Sequence, residues 1–127
     1  MSTVHSATAI RTANFADAKI MVRENLLNNN QWLIRGVLAI FARQTNDEQD
    51  AEGTKYDNKM GFNSSDAEIL SSYAKQIKRW LDTPEHSRRY PCPLSVAQLA
   101  LARRKMAKYS GQLVRIAQAT QEPAMAA

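Results

Sequence analysis

With a single cysteine, Cys92, the 127-residue chain cannot close an internal disulfide, which excludes a secreted, disulfide-stapled scaffold. Four Gly and four Pro are too few for a collagen-like or low-complexity chain and argue against a turn-rich β-sandwich. No apolar run reaches the roughly 18 residues of a membrane span. The first residues lack the basic segment followed by an apolar stretch of a secretory signal, so a reducing compartment is expected. Cys92 with His5 and His86 cannot make a zinc quartet, and the acidic run Asp47, Glu48, Asp50, Glu52 and Asp57 lacks the ligand order and central Gly of a calcium loop. No metal site and no cofactor are therefore expected. Lys59-Met60-Gly61-Phe62 supplies one Gly where phosphate loops and dinucleotide fingerprints need several. Cys92, between Pro91 and Pro93, has no neighbouring His and acid to activate it. Enzymatic activity has no motif behind it, and the expectation is a protein that is not an enzyme.

What is present fits a globular domain: 44% of residues are hydrophobic, and the length suits one domain. The formal charge of +5 is unevenly placed. Residues 1–60 hold seven basic and seven acidic residues, whereas the interval from Lys75 to Arg115 holds ten bases against Asp82 and Glu85 alone. That interval is the candidate electrostatic footprint.

Along the chain, residues 1–13 have no regular apolar spacing and read as a flexible arm, and residues 120–127 as a flexible tail. Between them, 14–119 read as a helical domain. Phe15, Ala18, Val22 and Leu26 make the apolar stripe of a first helix, which Asn28-Asn29-Asn30 interrupts. Residues 31–42 are apolar nearly all round, the mark of a helix central to a core, and nothing before Gly53 stops it. Its line continues into Gln44 or Thr45, Glu48 and Glu52, which either face solvent or form a buried network; the rarity of buried acids favours solvent. Ser65-Asp66-Ala67-Glu68 reads as a capping box opening a third helix, with Leu70, Tyr73, Ile77 and Trp80 on its core line. Pro84, Pro91 and Pro93 make the next segment extended. Ser95-Val96-Ala97-Gln98 is a second capping box, with Leu94 and Leu99 at staple spacing. Leu99, Ala102, Met106, Tyr109, Leu113 and Ile116 then form one stripe, which Ser110-Gly111 can kink or divide. The fold expected is an all-α, single-domain bundle of about four helices with a proline-rich connection before the last.

Two groups of residues are candidates for function. Lys75, Lys78, Arg79, Arg88, Arg89, Arg103, Arg104, Lys105, Lys108 and Arg115 could neutralise phosphates, with Tyr90 as a stacking aromatic in the connection; the alternative is a solvated helix surface. Arg43, Glu48, Asn58 and Asp66 lie around the junction of the second and third helices, as either a partner-docking or ligand site or the loop's own capping. In the second case Gly61 permits a turn and Phe62 plugs the core.

The order RQTNDEQ (residues 43–49), Asn58-x-x-Gly61-Phe62, DAEILSS (66–72) and QLALARRKMAKYSGQL (98–113) resembles a small helical module of phage and mobile-element proteins. The likeness covers about residues 30–117. Some relatives of that module are attached to nucleic-acid-processing proteins such as helicases. Where its pattern has a His before the Asn, this chain has Asp57, so no His-based role carries over. The resemblance implies an accessory protein in the cytoplasm of a bacterial host, binding nucleic acid or a nucleoprotein complex through its basic half. The alternative is a protein-interaction module that modulates a host defence or replication factor, including a helical homodimer through the line from Leu99 to Ile116. That line spans under three heptads, which suits an intramolecular core better than a coiled coil.

Overall fold

A computed structural model describes residues 4–50 and 61–119. These form an all-α fold with no strand among the described residues: α1 (Ala7–Thr12), α2 (Phe15–Asn28), α3 (Asn30–Asp50), α4 (Ser64–Asp82), α5 (Val96–Met106) and α6 (Ser110–Ala119). No helix among them is long and apolar enough to cross a membrane.

The helices begin where side chains satisfy orphan backbone N–H groups. Asn14 caps α2, accepting from the Asp17 amide at 2.8 Å. Asn29 alone separates α2 from α3: its amide donates to the Asn25 carbonyl that ends α2, and its side-chain oxygen accepts from the Trp32 amide. At α4 the cap differs from the Ser65 box read in the sequence. Asn63 is the N-cap, accepting from the Asp66 amide at 3.0 Å, and Ser65 donates to the same Asn63 oxygen. Ser65 is thereby the second residue of the helix, and Asp66 is the third, with its side chain buried. The second capping box forms as read, with Ser95 and Gln98 exchanging hydrogen bonds.

The core is one cluster. α3 lies centrally, contacting α2, α4, α5 and α6. Its Gly36 marks a close approach: a Cβ there would stand 3.3 Å from Leu26 Cδ2 of α2 and Met106 Cε of α5, and 3.4 Å from Leu113 Cδ1 of α6. Leu99, Ala102, Met106, Tyr109 and Leu113 are buried as their spacing requires. A 3-10 turn at Ala107–Tyr109 divides their helix just ahead of the Ser110-Gly111 pair.

The segment read as a flexible arm contains α1, whose Ile10 is fully buried. Ser6 caps it, and the buried Asn25 holds the residues before it by accepting from the His5 amide at 2.8 Å and donating to the His5 carbonyl at 3.0 Å. Gln118 of α6 donates to the Ile10 and Ala13 carbonyls at the other end. Phe15 departs from its stripe in the opposite sense. It is 41% exposed, with Lys19 and Arg115 about its ring at 5.7 and 5.4 Å.

Candidate functional site

The residues from Gly61 to Asp66 meet the last helical segment. After Gly61, which has φ 87°, the chain is clamped by Gln112: its amide oxygen accepts from the Gly61 N–H at 2.8 Å and its amide nitrogen donates to the Gly61 carbonyl at 3.0 Å. Phe62 is buried edge-on against Tyr109, with ring centroids 5.7 Å apart. The Tyr109 hydroxyl accepts from the Asn63 amide at 2.9 Å and donates to Asp66 Oδ2 at 2.7 Å. Lys108 Nζ stands 2.9 Å from the same carboxylate oxygen, and Lys105 Nζ 3.2 Å from the other. Asp66 is only 1% exposed, so this is a buried carboxylate answered by two partly exposed ammoniums and a phenol.

Burial alone would raise the Asp66 carboxyl, but hydrogen bonds from Tyr109, Lys108 and Lys105 outweigh it and hold the group below its ordinary value. Tyr109 is pushed well above the usual tyrosine range, first by burial and then by donating to Asp66. No buried side-chain N or O among the described residues lacks a partner. The buried carboxylate is answered within the fold, by the Tyr109 hydroxyl and the two ammoniums. Asp66 thus ties the start of α4 to Lys105, Lys108 and Tyr109. Of the other junction candidates, Arg43 is half-buried on α3, while the Glu48 side chain and Asn58 lie outside the described residues.

The basic candidates divide into those bonded within the fold and those exposed on it. Arg103 reaches away from Lys105, donating to the Leu26 carbonyl at the end of α2 at 3.2 Å and to Asn30 Oδ1. Arg88 stacks on Trp80 at 3.9 Å and donates to the Trp80, Thr83 and Leu81 carbonyls, closing the end of α4. Arg115 lies beside Phe15, and Arg104 is exposed on the side of α5 opposite its buried stripe. Lys75, Lys78 and Arg79 are exposed on the outer face of α4, with Glu68 and Asp82 on that same face. Arg89 and Tyr90 are exposed in the connection. Four of the ten bases, namely Arg88, Arg103, Lys105 and Lys108, are therefore bonded within the fold.

A further feature, with no motif of its own in the sequence, lies on the other side of α4. A groove of about 360 Å³ runs between the first half of α3, the end of α4 and the proline connection. Its walls are Ile34, Leu38, Ile77, Trp80, Leu81, Pro91, Cys92 and Pro93, with Asn30, Gln31 and Arg35 at the polar side. Trp80 is half-buried here instead of central to the core, and its indole N–H donates to the Tyr90 carbonyl at 2.9 Å, which fixes the connection as one wall. Beyond the ridge of Pro91 to Pro93, a second hollow of about 400 Å³ includes Tyr90, Leu94 and Val96. Tyr90 and Val96 are 65% and 85% exposed, and Leu81 is 51% exposed. The signal for this groove was present as the apolar surplus of residues 31–42, more than one helix can bury.

Among the described residues no group of three or more His, Cys, Asp or Glu could hold a metal ion. No protein-family model, curated protein or solved structure matches the chain.

Proposed function

We propose that this chain is a non-enzymatic protein-interaction module, an accessory protein of the phage and mobile-element kind, which docks a partner protein in the groove between α3, the end of α4 and the connection. The observation that carries this reading is the half-buried apolar pair Ile34 and Leu38 of α3 facing Leu81 and the Pro91–Pro93 ridge. An apolar surface that the fold leaves uncovered, edged with polar residues, is the usual form of an interaction site. The test is capture of a partner from nuclease-treated bacterial lysate. A partner retained by the wild type and by Ile20→Glu on α2, a residue that does not line the groove, but lost with Leu81→Glu, supports the reading. Loss of all capture on nuclease treatment overturns it.

One observation favours a second reading, contact with nucleic acid. Tyr90 stands 65% exposed beside Arg89, at the end of the helix that presents Lys75, Lys78 and Arg79. Stacking with adjacent bases is a common single-strand device. Fluorescence anisotropy with labelled DNA and RNA at several salt concentrations tests it, and no binding at low salt removes it.

A further inference from the structure

We infer that the groove's partner is an acidic amphipathic segment, one that inserts apolar side chains between α3 and the proline ridge and sets carboxylates against Arg35. This rests on the groove being the docking surface and adds the chemistry of its occupant. Among the described residues the one charged side chain lining the groove is a cation, Arg35, and no carboxylate lines it. A further cation borders it: Arg88, 3.9 Å from the ring centre of Trp80, which lines the groove. Positive potential around an apolar slot selects a partner with the opposite sign on its polar face.

The chemistry of the walls argues against a nucleic acid in the same place. They are mostly aliphatic and proline, which offer bases little stacking surface, and one face of Trp80 is taken by Arg88. A polyanion also needs successive phosphate contacts, and one lining arginine does not supply them. A helix with apolar anchors on one face is the mode that such grooves accept.

Cys92 makes the test direct, because it lines the groove, is half-buried and is the only thiol in the chain. The full chain is alkylated with N-ethylmaleimide in the presence of amphipathic peptides of about 15 residues, long enough for helix formation, built from Leu with Glu, Leu with Gln, or Leu with Lys. The Glu peptide is expected to slow alkylation most and the Lys peptide least. Arg35→Glu should weaken protection by the Glu peptide about tenfold, strengthen that by the Lys peptide, and leave that by the Gln peptide unchanged, the last serving as the control for folding. Equal protection by all three peptides overturns the acidic inference while leaving the groove as a docking site. Protection by none of them overturns both. Protection by an oligonucleotide instead of a peptide overturns both in favour of nucleic acid. Protection that rises with protein concentration alone assigns the groove to a second copy of the chain and also overturns the inference.

Discussion

Asp66 is the residue on which most of the local order at the start of α4 converges. Its carboxylate links α4 to both halves of the last helical segment, through Lys105 on α5 and through Lys108 and Tyr109 in the turn that follows. Tyr109→Phe would remove the donor to Asp66 and the acceptor for the Asn63 amide, at an expected cost of about 1–3 kcal/mol. Asp66→Ala should cost a similar amount. Because both changes disrupt one network, the double variant should cost less than the sum in urea denaturation, and strict additivity would refute the coupling. The same group sets an acid limb. A carboxyl lowered in the fold contributes stability that is fully present above its unfolded value of about 4 and is lost as pH falls through the lower folded value. Thermal melts below pH 4 should therefore show a steeper loss in the wild type than in Asp66→Ala. Tyr109, raised in the fold, acts oppositely: its contribution is present below about pH 10 and declines as pH rises beyond that. Gly61 completes the junction with a backbone conformation that costs side-chain-bearing residues roughly 1–2 kcal/mol, so Gly61→Ala should lower stability by about that amount in the same measurement.

At the scale of elements, the long helices were legible in the sequence because their burial follows spacing. Ala18, Val22 and Leu26 on α2, Leu70, Tyr73 and Ile77 on α4, and Leu99 to Leu113 across α5 and α6 are all buried where periodicity placed them. α1 was illegible for a physical reason: six residues with one large apolar side chain make no period, and the helix is held by Asn25 and Gln118, which lie far along the chain. The junction was half legible. Asp66, Gly61 and Phe62 stood out, but their partners did not, although Lys105, Lys108, Tyr109 and Gln112 recur at helical spacing of three, four and seven. Read as charge alone, the two lysines suggested a surface. Elements also decide which arginines matter to folding. Arg88 and Arg103 each satisfy carbonyls at a helix end, so alanine at either should cost about 1 kcal/mol or more. Lys75→Ala and Arg79→Ala, on the solvent face of α4, should stay within about 0.5 kcal/mol of the wild type. A chemical-denaturation series across these four variants distinguishes the two groups, and equal effects would refute the division.

At the scale of the whole molecule, the +5 charge and the apolar groove make opposing demands on how a partner is held, and salt separates them. Had the ten bases between Lys75 and Arg115 shared one face, a polyanion could have displaced many counterions, and six to ten phosphate contacts would cost roughly 10³–10⁵ in affinity between about 50 and 200 mM salt. Lys105 and Lys108 pair with Asp66, and Arg88 and Arg103 close helix ends, so four of the ten are engaged within the fold. Apolar burial is insensitive to screening, and only the few cations beside the groove respond to it. Affinity for a partner docked in the groove should accordingly fall by no more than about tenfold over that salt interval. A change of surface charge outside the groove, such as the double variant Lys75→Ala and Arg104→Ala, should move that affinity less than Leu81→Glu alone does. Titration of the partner at both salt concentrations with these variants reads the balance directly. A loss of a thousandfold with salt, shared by the Lys75 and Arg104 variant, would return the function to the charged surface.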